Sequence, residues 1–295
     1  MSSKPNVCIV GSINMDLTVT TESMPMQGET VLGDQFFTNP GGKGANQAVA
    51  AARMGADVTF IGAVGDDPFG KHLLENLRNE GVAADGVDTM SESATGTATI
   101  ILSDNDNRII VAPGANRDVT SDRVAEYRNL IQNSDIVLLQ LEVPMDTIAF
   151  TAEAAEQAGV PVVLNPAPFQ SLPEEVLNSA RYMTPNEIEL ASLQNEAEFP
   201  LIKEKSIVTR GEQGVSFVVN GAEQKVPSHA IQVKDTTGAG DTFNGALAAE
   251  LASGTALERA VATANAAAAL SVEKIGAQGG MPYRQDVVTF LQGKD

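Results

Sequence analysis

The sequence predicts an α/β fold: a doubly wound, mostly parallel central sheet with helices on both faces, plus a small projecting β-sheet lid. Three observations carry this reading. Short apolar runs of strand length alternate with helical patterns, the rhythm of successive strand–helix–strand units. Glycines close many of those runs, as in "NVCIVG" and "DVTFIGAVG". In two regions, residues 13–22 with 30–38 and residues 95–102 with 107–112, alternating strands follow one another with no helix between them.

In chain order, "NVCIVG" is a strand ending at Gly11, and "GGKGANQAVAAARMG" is a glycine turn into a helix stopped by Gly55. "DVTFIGAVG" is the next strand. In "GDDPFGKHLLENLRNEG", Asp67 is the N-cap, Pro68 the first helical residue and Gly81 the stop. The strands around residues 95–112 are joined by "SDNDNR", a hairpin loop. The strand "DIVLLQLEV", the helix "MDTIAFTAEAAEQAG" and the strand "VPVVLNPAP" follow. Later strands are "KSIVTRG", "GVSFVVNG" and "QKVPSHAIQV", before two Ala-rich helices around 240–253 and 256–272. No internal repeat or linker interrupts the pattern, so residues 1–295 read as one domain, its lid built from about 12–40 and 93–115.

With 38 acidic against 19 basic residues the net charge is −19, which argues against nucleic acid and anionic membranes as partners. A polyanionic ligand must therefore be held by local devices: backbone N–H groups, isolated basic side chains or metal ions. The single cysteine, Cys8, cannot form an internal bridge and fits a reducing cytoplasm. No stretch approaches the roughly 20 apolar residues of a membrane span, and "MSSKPN" lacks signal-peptide features. The two histidines, His72 and His229, stand in no cluster and read as surface residues, which disfavours a histidine-dependent hydrolase or zinc site.

The chemistry concentrates in a few stretches. In "DTTGAGDTFNG", Gly238, Ala239 and Gly240 precede Asp241 at a helix start. Small residues let a ligand approach the backbone, and the helix start offers unpaired N–H groups with a partial positive charge. Asp241 has two open roles. The local letters favour an N-cap accepting backbone hydrogen bonds; the alternative is a general base facing a substrate hydroxyl, with N–H groups beside it for phosphoryl charge. No stretch fits a P-loop, and the dinucleotide fingerprint fails because Phe243 stands where its third glycine belongs. In "NPGGKGANQAVAAARMG", Gly41, Gly42 and Gly44 surround Lys43, with Asn46 one turn into the helix. Lys43 is either a surface side chain or, with Asn46, a handle for a polyhydroxylated substrate. In "GSINMDL", Asn14 and Asp16 face one side of an extended segment. In "MTPNEIELASL", Asn186 and Glu189 share one helix face, either as a cap and a solvated side chain or as a site for hydrated Mg²⁺ near phosphates.

Taken together and in this order, "GSINMDL", "GGKGANQAVAAARMGA", "LNPAP", "TPNEIE" and "DTTGAGDTFNGAL" resemble the ribokinase (PfkB) family of carbohydrate kinases. The likeness continues to "GAQGGMP" near residue 276. It implies ATP-dependent transfer of the γ-phosphoryl group to a sugar's primary hydroxyl, here O5 of D-ribose, and a lid often used for homodimerisation. Carried over by position, the resemblance makes Asp241 the base and the backbone of Gly238, Ala239 and Gly240 the anion hole. Asn14, Asp16, Gly42, Lys43, Asn46 and Glu142 match sugar-binding positions. Asn186, Thr209, Arg210, Gly211, Glu212, Gln213, Gly214, Gly240 and Asn265 match nucleotide-binding positions. An activating monovalent cation, potassium, would fall on Asp235, Thr237, Ser271, Lys274, Gly276 and Gly280, largely through backbone carbonyls, and Mg²⁺ near Asn186 and Glu189 through water. Between "TPNEIE" and "TRGEQG" the chain is short for the family, as if a helix were trimmed.

Residues 12–40 contain no Lys or Arg and residues 93–115 only Arg108, which disfavours a sugar phosphate as substrate. The same stretches hold only Phe36 and Phe37 as aromatics, few stacking partners for a nucleoside base. Another unphosphorylated sugar or a nucleoside remains an alternative on the same fold. From other classes, a dinucleotide-binding oxidoreductase and a non-catalytic sugar sensor stay open.

Overall fold

The computed structural model describes residues 4–103, 106–194 and 199–293. The chain starts with β1 (Asn6–Val10), β2 (Asn14–Thr20) and β3 (Gln35–Gly41), then α1 (Lys43–Arg53), β4 (Asp57–Gly65), α2 (Pro68–Asn79) and β5 (Val82–Met90). The strands β6 (Gly96–Ser103) and β7 (Asp106–Ala112) lead through a 3₁₀ turn at Gly114–Asp118 to α3 (Ser121–Glu126), α4 (Arg128–Gln132) and β8 (Ile136–Leu139). Next come α5 (Met145–Ala158), β9 (Val162–Leu164), α6 (Glu174–Ser179), β10 (Ala180–Met183), α7 (Glu187–Leu193) and α8 (Phe199–Lys205). The last strands are β11 (Ile207–Thr209), β12 (Val215–Val219) and β13 (Ala222–Val226), before α9 (Ala239–Ala252), α10 (Leu257–Ser271), α11 (Ala277–Gly280) and α12 (Arg284–Gln292).

Six strands form a parallel sheet in the order β10-β9-β8-β1-β4-β5. Isolated parallel bridges, Met183 to Ser206 and Asn186 to Thr209, connect its β10 edge to a three-stranded antiparallel sheet, β11-β12-β13. The apolar run of β1 explains why both faces carry helices. Val7 and Ile9 point into a core completed by α1, α9 and α10, while Cys8 and Val10 point into the opposite core with α5 and α6. Burial in that second core pushes the Cys8 thiol up to about 12, so it is inert packing.

The strands predicted without intervening helices form a separate four-stranded sheet, β3-β2-β6-β7. Its outer strands pair antiparallel and its inner pair, β2 and β6, is parallel with Asn14 opposite Gly96. Of the "SDNDNR" loop, Asp104 and Asn105 lie outside the described residues; Ser103 and Asp106 pair across it.

Helix signals act as read: Asp67 accepts from the Gly70 N–H, Pro68 opens α2, and Gly55 and Gly81 follow their helices at positive φ. Several strands are shorter than their predicted runs: β8 covers only Ile136–Leu139 of "DIVLLQLEV", β9 only Val162–Leu164 of "VPVVLNPAP", and the lid strand predicted over 30–38 begins at Gln35. "QKVPSHAIQV" is extended and paired only through Val226 in β13, because Pro227 has no N–H to donate to a ladder. The strands β5 and β10 were missed; "VAADGVDTM" and "ARYM" carry little apolar periodicity. In the short segment after Glu189, α7 and α8 are both present, and residues 195–198 lie outside the described residues.

The Ala-rich faces of α1 and α9 meet closely. A Cβ on Gly245 would fall 2.6 Å from Ala50 Cβ and 2.8 Å from Ala51 N. This contact sets the first turns of both helices beside one another, which positions the site.

Candidate active site

The centre of the site is Asp241, third residue of α9 and almost fully buried. It does not cap its helix. The N-cap is Gly238 at φ 78°, with no side-chain cap bond, and both Asp241 oxygens accept from side-chain amides of α1 instead. Asn46 Nδ2 donates to Oδ2 at 3.0 Å and Gln47 Nε2 to Oδ1 at 3.0 Å. The capping reading favoured by the local letters is thereby overturned: at this position the carboxylate turns inward across the helix–helix contact. Burial pushes the Asp241 carboxyl above its usual range, against the opposing pull of Lys43 and the two amides.

The predicted sugar-side residues gather around it. Lys43 is the first residue of α1, and burial alone would lower its ammonium, but the fields of Asp241, Glu142 and Glu189 hold it above its ordinary value. A surface Lys in a flexible loop is thus excluded. Glu142, just after β8, accepts from Ser12 Oγ at 2.5 Å and from Lys43 N at 3.0 Å, so it serves the start of α1 as a cap from another segment. Gly42 has φ 88°, and a Cβ there would lie 2.7 Å from Asn14 N, so only glycine lets the loop pass over β2. Asn14 accepts from Asn116 Nδ2 at 2.8 Å. Asp16 lies against the α-carbon side of Gly41, where any side chain would strike its carboxylate. Burial, with Glu142 and Asp241 nearby, raises the Asp16 carboxyl to about 7.

On the other side of the α9 N-terminus lies a cavity of about 530 Å³ whose wall includes Thr209, Gly211, Glu212, Gly214, Ala239, Gly240 and Asn265. Gly240 faces open space, and the N–H groups of Gly240 and Asp241 precede the first intrahelical bond, Thr242 N–H to Gly238 O. The Ala239 N–H, in contrast, already donates to Thr236 O at 3.2 Å. Three predicted residues do not line this cavity. Arg210 turns away to Glu187 at 2.7 Å and to Ser216, and Gln213 and Asn186 lie off the wall. Asn265 reaches the wall with its amide already donated to Pro227 O at 2.9 Å. Val215, Ile231, Val233, Phe243 and Ala268 supply apolar wall that sequence reading missed, since each reads as ordinary core or loop. His229, read as a surface residue, is half-buried on the same wall, edge-to-face with Phe290 at 5.1 Å. A concavity of about 540 Å³ beside α5 and α6, lined by Asp146, Glu153, Glu156 and Glu175, has no basic residue and does not suit a polyphosphate.

Asn186 and Glu189 form a capping box: Glu189 N–H donates to Asn186 Oδ1 at 2.9 Å and Asn186 N–H to Glu189 Oε2 at 2.8 Å. Glu189 is half-buried, its carboxyl raised mainly by burial, with Lys43 and the Asn186 N–H pulling the other way. Among the described residues no three His, Cys, Asp or Glu side chains converge as a metal cage. Glu189, half-buried and within the electrostatic reach of Lys43, is a single carboxylate, a donor set that fits only a hydrated Mg²⁺ held largely by phosphates.

The remaining predicted residues form a loop pair beneath the α9 N-terminus. Asp235 accepts from Thr237 N–H at 2.9 Å and Gly276 N–H at 2.8 Å, tying the two loops together. Burial would raise its carboxyl, but these bonds hold it below the usual range. At Gly280 a Cβ would strike the Ser271 carbonyl and approach that of Lys274 to 3.5 Å. The two backbone carbonyls on the side that glycine leaves bare at Gly280, those of Ser271 and Lys274, are oxygens of the kind a bare monovalent cation takes. Gly238 rests on this assembly, with its missing Cβ 2.8 Å from Ala277 Cα.

Comparison with known proteins adds the following. The profile described as pfkB family carbohydrate kinase matches residues 4–284. The ribokinase of Bacillus subtilis is 45% identical over 290 residues, covering 97% of this chain and 99% of that protein. The ribokinase of Lactococcus lactis is 43% identical, with 97% of each chain covered. Among solved structures, Arabidopsis thaliana ribokinase complexed with ribose and ATP superimposes with a TM-score of 0.90 at 34% identity, covering 98% of this chain and 99% of that one. Thermotoga maritima ribokinase gives a TM-score of 0.89 at 35% identity, with coverage of 97% and 99%.

Proposed function

The chain belongs to the pfkB family of carbohydrate kinases, and we propose on that premise that it transfers the γ-phosphoryl group of ATP to O5 of D-ribose, with Asp241 as general base. The observation that carries this reading is the position of Asp241: an inward carboxylate at a helix terminus with a polar cluster on one side and a cavity of about 530 Å³ on the other. Relatives sharing 43% and 45% identity along nearly their whole length are ribokinases, which supports ribose as the sugar.

Asp241 takes the O5 proton as O5 attacks the γ-phosphorus; the bond between that phosphorus and the bridging oxygen breaks and ADP leaves. A positioned base contributes about 10²–10⁴-fold. The charge that grows on the transferring group meets the Gly240 backbone at the positive end of α9 and the Lys43 ammonium, which Asp241 and Glu142 keep protonated. Asn14, Asp16, Gly42, Lys43, Asn46 and Glu142 hold the sugar. Thr209, Gly211, Glu212, Gly214, Gly240 and Asn265 flank the nucleotide. Asn186, Arg210 and Gln213 support that wall from behind, and Gly238 and Ala239 shape the turn more than they donate to it. Mg²⁺, held through water near Glu189, would neutralise phosphate charge. Potassium would be held by the carbonyls around Ser271, Lys274, Gly276 and Gly280, with Asp235 and Thr237 fixing the loop on which Gly238 rests.

Residues 1–295 act as one domain, and the four-stranded sheet closes over the sugar side. Its exposed apolar residues, Phe36, Ile109, Ile110 and Val111, support a homodimer formed through that sheet. Among the described residues no helix is long and apolar enough to cross a membrane. The acidic charge gives no footing for nucleic acid, and the free, buried Cys8 suits the cytoplasm.

The test is ADP release from Mg-ATP against a panel of unphosphorylated sugars, sugar phosphates and nucleosides, with and without potassium. Ribose is expected to give the highest kcat/KM, potassium to raise kcat, and Asp241→Asn to bind ribose while losing at least about 10²-fold in kcat. A clear preference for another substrate, or a folded Asp241→Asn that turns over normally, sinks the assignment.

A further inference from the structure

We infer that Gln47 and Gln278 are positioning residues for Asp241, each orienting the carboxylate through a chain of side-chain amides whose donors all point at it. The inference rests on the reading of Asp241 as the phosphoryl-transfer base. The first chain runs from Gln140, whose Nε2 donates to Gln47 Oε1 at 2.6 Å; Gln47 Nε2 then donates to Asp241 Oδ1 at 3.0 Å and to Asn165 Oδ1 at 3.1 Å. The second begins with Asn76 Nδ2 donating to Gln278 Oε1 at 2.8 Å. Gln278 Nε2 donates to Asn46 Oδ1 at 3.0 Å, and Asn46 Nδ2 to Asp241 Oδ2 at 3.0 Å.

Direction is the point of the arrangement. A carboxamide has one acceptor end and one donor end, so it can present either to a carboxylate. Gln47 and Asn46 can present only their donor ends, because in each the oxygen is taken by the amide behind it. The buried Gln140 Oε1 has no hydrogen-bond partner among the described residues. An amide that only filled space would not leave an acceptor orphaned in the core, at a cost in stability. Its Nε2 is committed to Gln47, and the chain keeps its polarity. Gln278 is itself held in place, since Arg53 Nη1 donates to its backbone carbonyl at 2.7 Å while Arg53 pairs with Glu80 at 2.6 Å.

Gln47 is 0% exposed, so it cannot reach substrate and acts through Asp241 alone. Two aligned donors favour the ionised, proton-accepting form and fix which lone pairs remain for the substrate hydroxyl. The charged groups facing Asp241 are Lys43 on α1, Glu142 after β8 and Asp16 on β2, and none of them lies on either amide chain. Removing one donor leaves an oxygen of a buried carboxylate unpaired and favours its protonated form, which cannot accept the O5 proton.

The experiment uses the full chain with Gln47→Met and Gln278→Met, near in volume but without donors. Melting temperature, kcat, ribose KM and the pH profile of kcat are measured for each. For folded Gln47→Met, kcat at pH 6.5 is expected to fall about tenfold, as for loss of one charge-assisted bond, with ribose KM within about threefold. Gln278→Met, which only frees Asn46 to turn, should lower kcat by about threefold and raise ribose KM alongside. That loss should shrink as pH rises, because the acid limb of the profile moves to higher pH. Wild-type kcat in the folded variants, or a loss equal at every pH, overturns the inference. Gln278 touches Asp241 only through Asn46, so its variant keeps the test open should Gln47→Met fail to fold. A wild-type protein inactive on every sugar and nucleoside of the substrate panel refutes the kinase reading instead; active wild type with unperturbed variants refutes only the amide chains.

Discussion

At the scale of single residues, the site places carboxylates where burial and mutual repulsion work against their ionisation. Asp16 is the clearest case, raised to about 7 by burial first and then by Glu142 and Asp241. An unfolded Asp titrates near about 4. Between those values the folded chain therefore binds more protons than the unfolded one, and this group's contribution to stability falls as pH rises from about 4 to about 7. Asp16→Asn should leave the melting temperature unchanged near pH 4 and raise it by a few degrees at pH 8, on the order of 2 °C for each kcal/mol, while weakening ribose binding. A melting difference that does not vary with pH would contradict this. Asp241 shows what local letters miss. An Asp in a helix's first turn reads as a cap, and nothing near it in sequence announces that Asn46 and Gln47, about two hundred residues earlier, will take both its oxygens.

At the scale of elements, the contact between α1 and α9 brings Asp241 to Asn46 and Gln47 and close to Lys43. It depends on Gly245, whose neighbours across the contact are Gln47 O, Ala50 and Ala51. Gly245→Ala should force the helices apart and destabilise the protein by about 1–3 kcal/mol, with kcat falling more than KM rises because Gln47 moves with the α1 backbone. Calorimetry and steady-state kinetics on the purified variant check both; an unchanged melting temperature would show that the contact is not tight. Helices α1, α2, α5, α7, α9 and α10 were legible because their signals are local, as where Asp67, Pro68, Gly55 and Gly81 act on the turn they occupy, whereas α3, α4, α6, α8, α11 and α12 went unread. β5, β10 and the wall after Val226 were not, since the sheet and the cavity recruit them from outside their own letters.

At the scale of the whole molecule, two sheets divide the work. The parallel sheet and its two cores hold the N-termini of α1 and α9 still, while the four-stranded sheet carries Asn14 and Asp16 and leaves Phe36, Ile109, Ile110 and Val111 exposed. An apolar edge strand open to solvent invites pairing or covering by another chain. Analytical ultracentrifugation should give twice the chain mass for the wild type and the chain mass for Ile110→Glu. A monomeric wild type removes the dimer; a dimeric variant moves its interface elsewhere.

The sequence by itself determined the parallel α/β frame, the separate small sheet, the glycine turns at Gly42 and Gly238, and Asp16, Lys43, Asn46 and Glu142 around Asp241, but not Gln47, which donates to it directly. These follow from periodicity, from φ values only glycine adopts freely, and from motifs whose order along the chain is specific. Tertiary structure alone decided what Asp241 does with its oxygens, which part of the 209–214 segment faces the cavity beside the α9 N-terminus, and which way the amides of Gln47 and Asn46 point. The physical reason is range. Turns and caps are settled within a few residues, whereas a buried carboxylate's protonation and orientation depend on partners that only packing brings within 3.0 Å.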